Sequence, residues 1–238
     1  MHRRNQRLAL AAALLVAVGG AAGCASTPQP AGCICQEGRR QSPIDLGAAT
    51  PAELPAIEFG YGEAVEAEVF DTGYTVEVEF AEGRRPGIAI GGERFELLQF
   101  HFHEPSEHRV AGSAEAMELH FVHRNQVGEL AVVGVLLEAT ARTPQPAIDR
   151  IWATVPERVG ERAPVAVTPA ELLPADHGYY RYAGSLTTAP CAEGVRWQVL
   201  RGRLAVSPEQ VEAYRHPDTA RAIQPRNERP LLVGGPND

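Results

Sequence analysis

The sequence contains no lysine, so all 22 of its fixed side-chain cations are arginines. Its 30 acidic residues outnumber them, for a net charge of -8. This lack of positive charge argues against a nucleic-acid-binding role, which calls for a basic face. Cysteine is sparse, at four residues in 238. A chain of this length can bury a full core without disulfide staples. No long apolar run follows the first twenty residues and no internal repeat is present. Helix signals are few. The remaining composition, 44% hydrophobic and 22% charged, is that of a water-soluble globular domain.

Residues 1–23 read as an export signal. Arg3, Arg4 and Arg7 supply a positive start, and Leu8 to Val18 form an apolar stretch too short to serve as a stable bilayer span. Small residues then lead to Cys24. A cysteine directly after Ala21-Ala22-Gly23 resembles the bacterial lipobox, in which the cysteine is acylated and becomes the new N-terminus; ordinary cleavage nearby is the alternative. Residues 24–32 read as a lipidated tether rich in Pro, Ser and Ala. The expected location is therefore the periplasm or cell envelope, with the membrane touched only through a lipid anchor. Removing residues 1–23 takes away three arginines and no acid, bringing the net charge to about -11. In an oxidising compartment Cys33, Cys35 and Cys191 remain, an odd number. One disulfide with a spare thiol is the simplest outcome, and three reduced thiols the alternative.

From residue 33 to 238 the chain reads as one unit. Turn signals recur about every ten residues, with short strand-like runs between them. The clearest are Val65 to Phe70, Tyr74 to Phe80, Gly87 to Ile90, Leu97 to His103, Met117 to Arg124, Leu130 to Leu137 and Val195 to Val206. Helices are expected at Pro146 to Val155 and after Ser207, which offers an N-cap followed by Pro208 and, at the third position, Gln210. The expected class is mainly β (α+β), with a few short helices.

The chemistry sits in Gln99-Phe100-His101-Phe102-His103. In a strand alternate residues share a face, so His101, His103 and Gln99 point one way and the phenylalanines the other. The next strand offers Glu118-Leu119-His120, with Glu118 and His120 together. If the two strands are neighbours, three imidazoles converge. Three neutral nitrogens leave one tetrahedral position of zinc open, which is the catalytic arrangement rather than the structural one. Each strand also places an acceptor two residues before a histidine, where it can take the second ring N–H and fix the tautomer: Gln99 for His101 and Glu118 for His120. His108, His123, His177 and His216 lack such partners in sequence and are read as structural or surface residues.

The ordered runs Gln41-Ser42-Pro43-Ile44-Asp45-Leu46, Gln99 to His103, Ser106-Glu107-His108, Glu118 to His123 and Tyr182 to Cys191 (Tyr-Ala-Gly-Ser-Leu-Thr-Thr-Ala-Pro-Cys) resemble the alpha-class carbonic anhydrases, especially the bacterial branch. Asn227-x-Arg229-Pro230-Leu231 is similar to that family's C-terminal motif. The resemblance covers about Cys35 to Leu232. It implies a single domain around a large, mostly antiparallel twisted sheet of about ten strands. It implies reversible hydration of carbon dioxide to bicarbonate and a proton, with Zn2+ as cofactor and a small-molecule substrate, carbon dioxide or bicarbonate, as partner.

Carried onto this chain, the resemblance makes His101, His103 and His120 the zinc ligands and water or hydroxide the fourth. Zinc acidifies that water, an effect for which carbonic anhydrases are themselves the reference case. Thr187 would accept the hydroxide proton and donate its own to Glu107, which orients the nucleophile. Asn227 would join Gln99 and Glu118 around the ligands. Thr188 would line the polar side of the pocket, and Val122, Val132, Leu186, Val195 and Trp197 the apolar side. Cys35 would pair with Cys191 and pin the Thr187 loop, with Cys33 left over and close enough to compete. The alternative functions are a non-catalytic binding protein on the same fold, which in that family typically lacks one or more zinc histidines, and an unrelated zinc-binding or surface lipoprotein sharing short motifs.

Two features depart from the family pattern. Where Asn-x-Gly-His often supplies a histidine that carries the proton to buffer, this chain has Asp71-Thr72-Gly73-Tyr74. A tyrosine titrates near 10, too high to ferry protons at neutral pH, so slower proton export and stronger buffer dependence are expected. The segment before Gln41 is short and lacks the usual Trp-Gly-Tyr motif, which should cost packing area and a polar partner near Glu107.

Overall fold

The computed structural model describes Cys35, residues 38–83 and residues 85–235. The expected signal segment, tether, Cys24 and Cys33 lie outside the described residues. In chain order the strands are β1 (Thr50–Pro51), β2 (Ile57–Gly60), β3 (Val65–Asp71), β4 (Val76–Phe80), β5 (Gly87–Ile90), β6 (Glu93–His103), β7 (Arg109–Val110), β8 (Ser113–Ala114), β9 (Met117–Arg124), β10 (Leu130–Glu138), β11 (Arg162–Val167), β12 (Tyr179–Ser185), β13 (Glu193–Ala205) and β14 (Leu232–Gly234). Two short α-helices, α1 (Pro146–Thr154) and α2 (Pro208–Glu212), complete the pattern with a 3₁₀ turn at Pro169–Leu172.

Twelve strands form one mixed sheet in the order β1-β14-β12-β13-β10-β9-β6-β4-β3-β11, with β5 and β2 branching from β6. The pairs β10–β13 and β1–β14 are parallel and the other pairs of the sheet antiparallel. The ten strands on the main path match the number expected. β6 and β9 are neighbours, as the convergence of the histidines requires.

Each strand shows why its residues face as they do. On β9, Met117, Leu119 and Phe121 enter one core, while Val122 belongs to a second cluster. On β10, Ala131, Val133, Val135 and Leu137 share the first core, and Val132 and Leu136 the second. β6 carries a bulge between Leu97 and Gln99. Before it Phe95 and Leu97 face the first core, and after it Phe100 and Phe102 do. The extra residue shifts the alternation by one, the ordinary effect of a bulge. Phe100 and Phe102 are fully buried, worth about 2–3 kcal/mol each, and that burial holds His101 and His103 on the opposite face.

Two strand starts differ clearly from expectation, and several strands were not expected. β6 begins at Glu93 because the Gly91-Gly92 turn, with φ of 60° and 83°, closes a tight hairpin to β5. β4 begins at Val76 and not at Tyr74: the Asp71 carboxylate accepts from Gly73 N at 2.6 Å, Gly73 has φ 81°, and Thr72 N donates to Thr75 O at 2.9 Å, so Tyr74 lies in a turn. β1, β2, β7, β8, β11, β12 and β14 are absent from the sequence reading. β11 is an edge strand with Pro164 inside it, and β12 carries Arg181 and Gly184, so neither presents a clean hydrophobic run. The capping box after Ser207 is present, with Gln210 N donating to Ser207 Oγ at 3.3 Å and Ser207 N to Gln210 Oε1 at 3.2 Å.

Candidate metal centre

His101 and His120 are cross-strand partners, and His103 lies two residues along β6 on the same face. One nitrogen of each ring lies within 4.8 Å of the others. Ring centroids are 5.0 Å apart for His101 and His103, 5.3 Å for His101 and His120 and 4.7 Å for His103 and His120. All three side chains are buried.

Among the described residues, four buried side-chain polar atoms have no hydrogen-bond partner: His103 Nδ1, His103 Nε2, His120 Nε2 and Glu107 Oε2. All four sit at this centre. An orphaned buried polar atom costs about 1–3 kcal/mol, so such a cluster needs a reason. A cation bound among the rings is one: neutral imidazoles with free lone pairs form the donor set zinc favours.

Two of the three protonation states favour neutral rings. Burial, reinforced by the neighbouring His103 and His120, holds His101 well below the usual imidazole range. Burial and then His120 push His103 down to about 3. Burial pulls His120 down too, but Glu118 and Glu107 outweigh it and the net shift is upward. A carboxylate behind a ligating ring raises its basicity in this way.

The orienting groups are only partly those expected. His101 Nδ1 meets Gln99 Oε1 at 2.8 Å. Glu118 Oε1 lies 3.0 Å from His120 Nε2, off the axis of a good hydrogen bond. Asn227 does not reach the centre. It has φ 50°, in the left-handed region, and donates from Nδ2 to Arg39 O at 3.1 Å. The Thr219 backbone lies near His103 instead and favours its protonated form, without a full hydrogen bond to the ring. A backbone acceptor leaves no signature in sequence.

His108, read as merely structural or surface, belongs to the shell around the centre. Its Nδ1 meets Glu118 Oε1 at 2.7 Å, its backbone N donates to Glu118 Oε2 at 2.8 Å, and its Nε2 meets Tyr182 Oη at 2.6 Å. With His108 and His120 close by, Glu118 is held well below the usual carboxylate range although burial opposes this. The one sequence signal was its place directly after Glu107. His123 and His216 do act structurally. His123 sits between Tyr61 Oη and the Ala131 carbonyl, and His216 Nε2 meets Asp71 Oδ1 at 2.9 Å. Gly134, the cross-strand partner of His120, makes room for Glu118: a Cβ there would lie 2.9 Å from Glu118 Oε1.

Glu107 Oε1 accepts from Arg221 N at 2.9 Å, while Oε2 lies 3.6 Å from His103 Nε2 and 3.8 Å from His120 Nδ1. Burial raises this carboxyl, against the pull of His120 and then of the Thr187 hydroxyl, which faces it. Thr187 is buried and Thr188 half-buried on the loop between β12 and β13. Cys191 N closes that loop onto Thr188 O at 2.8 Å, and the Cys35–Cys191 disulfide ties it to the N-terminal segment, as the resemblance implied. Val122, Val132, Val195 and Trp197 fall in one apolar cluster, with Leu186 packed against it. Trp197 reaches the centre, its ring centroid 4.8 Å from that of His120. Tyr74 has its ring 6.4 Å from that of His103, and its hydroxyl donates to the Thr219 carbonyl. Burial and then Glu107 push it up to about 12.

A twisted mixed sheet that turns three buried imidazoles to one face, beside a threonine loop and a carboxylate, defines a class. The eukaryotic-type carbonic anhydrase model matches residues 29–232. A carbonic anhydrase from Nostoc sp. is 38% identical over 209 residues, covering 84% of this chain and 77% of its own. The alpha-carbonic anhydrase of Thermovibrio ammonificans, solved in complex with the inhibitor sulfanilamide, is 38% identical with a TM-score of 0.76, covering 82% of this chain and 87% of its own. Carbonic anhydrase Cah3 from Chlamydomonas reinhardtii, solved with acetazolamide, is 34% identical with a TM-score of 0.77, covering 82% and 91%. The chain belongs to the alpha carbonic anhydrase family.

Proposed function

We propose that this carbonic anhydrase catalyses the reversible hydration of carbon dioxide to bicarbonate and a proton, using zinc held by His101, His103 and His120. The observation that carries the reading is the cluster of three buried imidazoles, with the unpartnered His103 Nε2 3.6 Å from Glu107 Oε2 and the Thr187 hydroxyl facing that carboxyl. Zinc so bound supplies a Lewis acid that makes water a nucleophile at neutral pH, the effect for which carbonic anhydrases are the reference case.

The chain's own residues do the rest. Gln99 holds the His101 ring, and Glu118 and the Thr219 backbone lie behind the rings of His120 and His103. An ionised Glu107 can only accept, so the Thr187 hydroxyl donates its hydrogen bond to Glu107 and keeps lone pairs to accept a hydrogen bond from the attacking oxygen. That pair of hydrogen bonds would fix the direction of attack, which is catalysis by orientation. The wall of Val122, Val132, Leu186, Val195 and Trp197 offers a small apolar gas a dry seat without charged competitors.

Stopped-flow hydration by the mature domain is the test, with and without a zinc chelator and acetazolamide. Activity lost to both is the expected result. Folded, zinc-loaded protein with no activity would overturn the enzyme reading and leave a binding protein on the same fold.

We further propose export and lipidation at Cys24. The disulfide supports an oxidising compartment. A Cys24→Ala variant should move from the membrane fraction to the soluble fraction; an unchanged distribution would refute the anchor.

A further inference from the structure

Gln99 is the group that sets the His101 ring, and an amide has two opposite ends. If Oε1 faces His101 Nδ1, that nitrogen must carry the proton and Nε2 keeps its lone pair. If the amide turns over, its N–H₂ favours the other tautomer, which puts the proton where a metal would bind. Something has to hold the amide one way round.

Across the sheet, Phe70, Glu77, His101, His120 and Gly134 form one row of cross-strand partners on β3, β4, β6, β9 and β10. Val76, Val78 and Phe80 fill the first core, so Glu77 lies on the face of the histidines. It is 7% exposed. Gln99 Nε2 donates to Glu77 Oε2 at 3.4 Å, while Gln99 Oε1 meets His101 Nδ1 at 2.8 Å. Glu79, the direct cross-strand partner of Gln99, is drawn away: Arg162 donates to its Oε2 at 2.6 Å, and its side chain is 40% exposed. Here Glu77 Oε2 receives the N–H₂ end of the amide: an ionised carboxylate can only accept, and a protonated one still offers its carbonyl oxygen to that end.

We propose that Glu77 is a positioning residue of the metal centre, locking the Gln99 amide so that His101 keeps its proton on Nδ1 and presents Nε2. The inference rests on the metal-centre reading above. Glu77 touches neither metal nor substrate and acts only through Gln99, so its effect depends on Gln99 being present.

The test uses E77M, E77Q, Q99L and the E77M/Q99L double variant of the mature protein. ¹⁵N-resolved histidine spectra of the metal-free protein should show His101 in a single Nδ1–H tautomer in wild type and E77Q, and a mixture in E77M. Chelator competition should show zinc affinity about tenfold weaker in E77M, the low end for a group behind a ligand, and largely restored in E77Q. In the Q99L background the Glu77 substitution should add nothing. If E77M fails to fold, E77L gives a second apolar replacement. An unchanged tautomer and affinity in E77M, or an undiminished loss in the Q99L background, would overturn the proposal. If wild type takes up no zinc, the metal reading fails by itself, and the tautomer spectra still decide the role of Glu77.

Discussion

At the scale of single residues, the consequential substitution is Tyr74. It occupies the position where a histidine would carry protons out, and it is ill suited twice over. Burial and the nearby Glu107 push its hydroxyl up to about 12, and that hydroxyl is already committed to the Thr219 carbonyl. A carrier must titrate near the working pH. Tyr74→His should therefore raise turnover in dilute buffer, by up to the ~10²-fold that a positioned acid–base group contributes, and change little in concentrated buffer. Stopped-flow rates across a buffer series check this; identical curves for both proteins would show that the position takes no part in proton export.

Among the elements, the loop between β12 and β13 depends most on a distant tether. It carries Thr187 and Thr188, its turn closes through Cys191 N to Thr188 O, and Gln41 Nε2 donates to Cys191 O at 3.2 Å. The disulfide joins this turn to Cys35 across 156 residues of sequence. Closing so long a loop restricts the unfolded chain, so a Cys35→Ser/Cys191→Ser variant should lose about 2–5 kcal/mol of stability in urea titration. The threonines also lose their anchor. Turnover should drop while zinc content holds, because the ligands sit on β6 and β9 and not on this loop. Zinc lost in step with turnover would show that the loop supports the metal centre as well.

For the whole molecule, buried histidines make stability depend on pH. His123, outside the metal centre, is pushed down to about 3 by burial, while an unfolded histidine titrates near 6.5. Between those values the unfolded chain binds a proton that the folded chain refuses, so stability falls as pH drops from about 6.5 towards 3. His123→Gln should lessen the slope of unfolding free energy against pH by up to about 1.4 kcal/mol per unit over that window. Urea titrations of the metal-free protein at pH 7, 6 and 5 measure it; parallel slopes would mean that His123 is protonated in the fold.

Much of this molecule is legible in the linear sequence because two rules are local. Alternation along a strand put His101 and His103 on one face, and Gln99 and Glu118 two residues ahead of a ligand. The capping box after Ser207 needs only three neighbouring positions. The bulge that turns Phe95 and Leu97 to the same face as Phe100 and Phe102 is set by pairing with β9, and the run Gln99 to His103 is short enough to be unaffected. What only the tertiary structure decided are contacts between segments far apart in the chain. The Thr219 backbone lies by His103 where Asn227 was expected, and a backbone group in a loop carries no residue-type signal. His108 joins Glu118 and Tyr182 once three segments meet, and Glu77 meets Gln99 only because β4 pairs with β6. The sequence by itself determined the candidate ligand set, since the capacity to ligate depends on residue type and periodicity. The tertiary structure decided what holds those ligands, since a hydrogen bond depends on where two groups meet in space.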